Sequence, residues 1–199
     1  MRQGCKILVC LATLLALSGC YGETEAELPA PLELTRDAVG HYCGMIVADH
    51  SGPKAQIFVA DRDTPVWFAS VRDAFAFMML PGEAKNVRAI FVNDMGKSSN
   101  WHRPEPGTWI DARKAYFVID SARRGGMGLD EAVPFSNGEA AGAFTAEYGG
   151  HVVSFSKVPS NYVLGDGSAS SQNNQSGNHQ HDDHQHDSHH GPVKKGGES

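Results

Sequence analysis

No cluster of lysine and arginine interleaved with aromatic residues occurs in the chain, and the formal net charge is −6. A nucleic-acid partner is therefore not expected. The apolar run at residues 7–17 falls short of the ~20 residues needed to span a bilayer. Cysteine is scarce: Cys5, Cys10, Cys20 and Cys43 are the four in 199 residues. That number excludes a disulfide-stapled scaffold and the several thiolates of a closed cysteine-rich zinc site. What remains, 41% hydrophobic and 20% charged residues, is ordinary globular composition with room for one domain or two small ones.

The N-terminus reads as a targeting segment. Arg2 and Lys6 supply the positive start, residues 7–17 the apolar stretch, and Leu17-Ser18-Gly19-Cys20 the end. The last four residues resemble a bacterial lipobox, in which cleavage leaves an acylated cysteine as the new first residue. Cys20 is then the lipidation site, and each buried acyl methylene contributes ~0.8 kcal/mol to membrane attachment. Tyr21 is not the aspartate that retains lipoproteins at the inner membrane, so a periplasmic protein anchored to the outer membrane is expected. With Cys5 and Cys10 removed and Cys20 acylated, Cys43 is left as a lone thiol in a compartment that oxidises pairs. An unpaired periplasmic thiol calls for burial, catalysis or a bound metal.

Residues 1–19 thus form a signal peptide. Residues 20–35, with Glu23, Glu25, Glu27, Pro29 and Pro31, read as an extended lipidated stalk. A folded body is expected to about residue 164. Residues 165–199, almost without apolar side chains, read as a disordered tail. Within the body a shift of 67 positions superposes Asp63, Val66, Phe68, Ala74, Ala76 and Phe77 on Asp130, Val133, Phe135, Ala141, Ala143 and Phe144. In the first copy, strands are predicted at 54–61, 65–69 and 87–93, with a helix opened by a Ser70/Asp73 capping box. In the second, strands fall at 114–120, 132–135 and 152–158. There Ser136 and Glu139 form the capping box, and Gly149-Gly150 ends the helix. The fold class is α+β: a ββαβ unit over 36–96, a connector over 97–113 and a second ββαβ unit over 114–164. Neither unit is large enough for a core of its own, so the two should pack as one body.

Chemistry concentrates around Cys43-Gly44-Met45, in a loop bounded by Gly40 and Gly52-Pro53 and flanked by His41 and His50. Thiolate and thioether are soft donors that select Cu(I) over magnesium, calcium or manganese. Cu(I) accepts two or three ligands, so one more donor completes a site. Met127, framed by Gly126 and Gly128, is the best supplier, and His50 is the competing one. Met78 and Met79 read as core residues and Met95 is open. His41, His102 and His151 are weaker candidates.

These residues bring a known family into view. Residues 37–45, ending in Cys43-Gly44-Met45, continue to His50-Ser51-Gly52-Pro53-Lys54-Ala55-Gln56. They resemble the nitrous oxide reductase accessory protein family, NosL, as do Trp109-Ile110-Asp111-Ala112, the Gly126-Met127-Gly128 loop, and Phe144 through Tyr148-Gly149-Gly150. The likeness runs over roughly residues 20–160. It implies a periplasmic lipoprotein that binds Cu(I) and supplies copper for the copper-sulfide cluster of nitrous oxide reductase. A dedicated ABC-transporter complex is the implied co-worker, and the implied body has two ββαβ halves related to organomercurial lyase. The family's Cys-x-Met pair falls on Cys43 and Met45, and its later methionine ligand on Met127.

The tail carries His179, His181, His184, His186, His189 and His190 among Gln and Asp, outside the family pattern. Imidazoles at that density bind Zn(II), Ni(II) or Cu(II) loosely. Two other readings follow. One is a metal buffer that works through the tail. The other is a Cys43-dependent hydrolase or lyase with His41 or His50 as base, for which no oriented acidic partner is recognisable.

Overall fold

A computed structural model describes residues 28–165. The signal peptide, Cys20 and the six tail histidines lie outside them. Seven strands and three helices follow in the order β1 (Ala55–Val59), β2 (Val66–Phe68), α1 (Val71–Met79), β3 (Val87–Asn93), β4 (Trp109–Asp111), β5 (Tyr116–Ile119), β6 (Val133–Phe135), α2 (Gly138–Tyr148), β7 (His151–Ser154) and α3 (Ser160–Leu164). They form an α+β body with two antiparallel sheets, ordered β2-β1-β3-β4 and β6-β5-β7.

In each half the first strand is central, its hairpin partner lies on one side, and the strand after the helix lies on the other. The register shows where the sequence repeat holds. Ala55 pairs with Phe68 and Tyr116 with Phe135. The second strands and the helices therefore keep the offset of 67, while the first strands do not. The difference lies in the hairpin loop: residues 60–65 in the first unit, and the longer 120–132, which carries Met127, in the second.

β1 is buried along its whole length because both its faces are covered. Ala55, Ile57 and Val59 point into a core that includes Phe68, Val71, Phe75 and Phe77 from the first half. The same core takes Phe117, Ile119, Ala132 and Val158 from the second half, so the two units share one interior. The alternation of β5 divides its side chains: Phe117 and Ile119 enter the shared core, while Val118 joins Val133, Phe135 and Ala141 beneath α2. On the outer face of the first sheet, Gln56 is wholly buried. It exchanges hydrogen bonds with the backbone of Leu32, donating to the carbonyl at 2.8 Å and accepting from the N–H at 2.9 Å.

Several expectations need correction. The segment 28–35 is not a free stalk, because Leu32 is bound to Gln56 and the Glu33 carboxylate accepts from the Gly107 N–H at 2.9 Å. The connector 97–113 contains β4, which adds a fourth strand to the first sheet through Phe91, Val92 and Asn93. Neither capping box forms. Ser70 occupies the N-cap position of α1 without a capping side-chain bond. The N-cap of α2 is Asn137, one residue beyond Ser136, and its side chain accepts from the Ala140 N–H at 2.8 Å. The strand predicted at 152–158 ends at Ser154 and gives way to a 3-10 turn (Phe155–Lys157) and α3.

Candidate metal centre

The Cys43 turn is a small hairpin held at both ends. Val39 bridges Ile46, Gly40 bridges Trp67 of β2, and the Gly40 N–H donates to the Met45 carbonyl at 2.9 Å. Between them the Gly44 N–H donates to the Gly40 carbonyl at 2.9 Å, which requires φ +65° at Gly44, a conformation natural to glycine. The thiol folds back over Gly40: a β-carbon there would stand 2.6 Å from Cys43 Sγ. Cys43 is a half-buried free cysteine, while Met45 is 49% exposed. The preceding residues fasten the turn to the body. The Tyr42 hydroxyl donates to Glu83 at 2.8 Å, His41 Nε2 lies 3.3 Å from the same carboxylate, and the His41 ring meets Phe68 and Phe77 edge-on. Burial, then the Glu83 hydrogen bond and the charges of Glu83 and Asp73, push the Tyr42 phenol far above its usual range. His41 is thus engaged away from the thiol.

Met127 sits at the tip of the long hairpin loop of the second half. The Gly128 N–H donates to the Gly125 carbonyl and the Gly125 N–H to the Leu129 carbonyl, both at 2.9 Å, and an Arg124–Asp130 ion pair closes the base. Met127 is 36% exposed and shares a small surface cavity with Ser70, Arg72 and Asp73 at the N-terminal end of α1. The Cys43 turn meets the same helix nearer its other end, through Phe77 and the Glu83 carboxylate beyond it, so both sulfur-bearing loops border α1.

The residues that follow the Cys43 turn touch the Met127 loop. A β-carbon on Gly126 would stand 2.6 Å from His50 Cβ and 2.7 Å from the backbone N and O of Ser51. His50 therefore lies beneath the Met127 turn. Its Nε2 is buried without a hydrogen-bond partner, and the residue also lines a cavity of about 520 Å³ with His102. His102 shares a hydrogen bond of 2.8 Å with Ser51, and His151 faces Asp120 at 3.5 Å, where the long hairpin loop begins. Met78 and Met79 pack on the shared core and Met95 on the smaller one. Among the described residues no three His, Cys, Asp or Glu side chains form a metal-holding group. The soft donors on these two loops are the sulfurs of Cys43, Met45 and Met127.

Sequence reasoning missed Trp101, which organises the approach of the loops. Its carbonyl accepts from the Gly52 N–H at 2.7 Å, its ring stacks on Phe144 at 6.2 Å, and Arg123 lies 4.2 Å over its face. Nothing local marks Trp101, in a Pro- and Gly-containing connector, for that role.

Two charged groups are almost fully buried, Lys54 beside Gly52 and Glu131 beside Gly125 of the Met127 turn. Burial pushes the Glu131 carboxyl up from 4.5 to about 7, despite hydrogen bonds and the Lys54 charge that oppose the shift. Burial lowers Lys54 from 10.5 to about 8, against the pull of Glu131. Between pH 4.5 and 7 the folded protein holds a proton at Glu131 that the unfolded chain has released. Stability from this group is therefore lost as pH rises through that window. Between pH 8 and 10.5 the unfolded chain binds the extra proton at Lys54, so that contribution rises with pH. The pair predicts a stability minimum near pH 7–8. At ~1.4 kcal/mol per pH unit, Glu131→Gln should remove a slope worth on the order of 3 kcal/mol on the acid side. Urea unfolding at a series of pH values checks it, and an unchanged slope in the variant refutes it.

Fold and donors together define a class: a two-unit α+β body in which each half presents soft sulfur side chains on a glycine-framed loop. The chain belongs to the NosL family, whose model matches residues 31–163. It is 42% identical over 165 residues to the copper-binding lipoprotein NosL of Achromobacter cycloclastes, covering 82% of this chain and 85% of that one. It is 29% identical over 158 residues to the copper-binding lipoprotein NosL of Stutzerimonas stutzeri, covering 79% and 81%. The crystal structure of the copper chaperone NosL from Shewanella denitrificans superposes with a TM-score of 0.62 at 30% identity, covering 66% of this chain and 96% of that one.

Proposed function

We propose that this protein is a Cu(I) metallochaperone, lipid-anchored through Cys20 on the periplasmic side of the outer membrane. It delivers copper for the copper-sulfide centre of nitrous oxide reductase, together with a dedicated ABC-transporter complex. Its action is ligand exchange without catalysis. The observation that carries the reading is that a half-buried unpaired thiol and two partly exposed thioethers stand on glycine-framed turns bordering one helix, α1. Cys43 as thiolate is the strong donor, Met45 and Met127 are the soft neutral ones, and His50 is the nitrogen donor nearest to the Met127 turn. A low coordination number leaves room for an incoming partner ligand, so the ion can pass through a shared-ligand intermediate without release. The copper-binding names of the relatives support the cargo, and the lipobox supports the anchor.

X-ray absorption on the Cu(I)-loaded protein tests the donor set. Sulfur-dominated scattering is expected, and nitrogen-dominated scattering would shift the site to histidine. The tail offers a second reading, because six histidines between 179 and 190 could buffer metal on their own. Truncation after Leu164 separates the two. Cu(I) affinity should stay within about threefold of the full chain by competition titration, and its loss would transfer the function to the tail.

A further inference from the structure

We propose that Glu131 is a positioning residue for the copper site, clamping the Met127 turn to the N-terminal end of α1, the helix that the Cys43 turn also borders. The inference rests on Met127 being a copper donor. Glu131 is 1% exposed, and its two oxygens do different things. Oε1 accepts from the Ser70 hydroxyl at 3.3 Å, the Arg72 N–H at 3.1 Å and its neighbour Ala132 N–H at 3.0 Å. It thereby supplies, from the second half of the protein, the helix cap that Ser70 does not. Oε2 is buried without a hydrogen-bond partner and lies against Gly125, where a β-carbon would stand 2.7 Å away.

A cap alone does not call for this arrangement. A serine or aspartate at the helix start satisfies the same N–H without burying a charge from 61 positions away. What the long-range carboxylate adds is a fixed distance between two elements. Gly125 is the first residue of the turn whose tip is Met127, and Ser70, Arg72 and Asp73 line a small cavity together with Met127. The Cys43 turn is referenced to the same helix through His41 and Tyr42, which pack on Phe77 and Phe68 and bond Glu83. Glu131 therefore sets where the third sulfur stands relative to the other two, and it does so from beneath the loop.

The test is a double-mutant cycle read by Cu(I) competition titration on the full-length protein. Met127→Ala should weaken binding by about tenfold. Glu131→Ala should weaken it by a similar factor, and the double variant should be no weaker than either single one within about threefold, because both remove the same donor. X-ray absorption of Glu131→Ala should show one sulfur fewer than wild type. Glu131→Gln keeps an oxygen for the three donors and should retain wild-type affinity. Multiplying losses in the double variant, or a Glu131→Ala protein with wild-type affinity and only lowered Tm, overturns the proposal and leaves an ordinary structural cap. If Glu131→Ala does not fold, Gly125→Ala takes its place with the same expectations, since it keeps the carboxylate and drives a methyl group between it and the turn. No effect of Met127→Ala would instead remove Met127 as a donor and this inference with it. An effective Met127→Ala with an additive Glu131→Ala sinks the positioning role alone.

Discussion

Cys43→Ala is expected to lower Cu(I) affinity by at least about a thousandfold, ~4 kcal/mol. The remaining donors at the two turns are neutral thioethers and an imidazole, none of which supplies the charge-neutralising bond that a thiolate makes with a monovalent soft ion. The fold should tolerate the change. The side chain is half-buried and absent from both hydrophobic clusters. Competition with a chromophoric Cu(I) chelator measures the loss, and far-ultraviolet circular dichroism should be superimposable on wild type. Unchanged affinity in a folded variant would defeat the metallochaperone reading at its centre.

Phe117→Ala should cost about 3–5 kcal/mol of stability, the range for deleting a fully buried aromatic ring. Phe117 is fully buried, meets Phe75 of α1 at 5.0 Å and Phe155 at 6.2 Å, and reaches from the second sheet into the core of the first. Because the interior is shared, wild type and variant should each unfold in one transition, with the variant's midpoint lower. Calorimetry that resolves two independent transitions in wild type would contradict a common core. A variant at wild-type stability would contradict the packing.

What could be read from the chain alone follows from how local each cause is. β3 appears at 87–93 as expected because its own β-branched and aromatic residues specify an extended segment. The helix after Ser70 and the glycine stop at Gly149 were equally local. β4 was hidden because Trp109, Ile110 and Asp111 become a strand through pairing with β3, and nothing in three residues announces that. α3 is too short to show a period. The capping boxes failed for a physical reason: one cap comes from Glu131 in the other half, and Asn137, as good a cap as Ser136, stands one position later where the helix begins. At the candidate site, soft side chains in glycine frames were visible as chemistry. Trp101, Glu131 and the seat of His50 beneath Gly126 belong to tertiary structure, which no spacing reveals.

The bond between Leu32 and Gln56 also sets the length of a leash. With Cys20 acylated as proposed, eleven residues separate the lipid from Leu32, the first fastening to the sheet among the described residues. Even drawn straight they reach only roughly 40 Å. The cargo would then be exchanged in the thin layer of water beside the bilayer, and a receiver that stays in the middle of the periplasm would have to come to the surface to collect it.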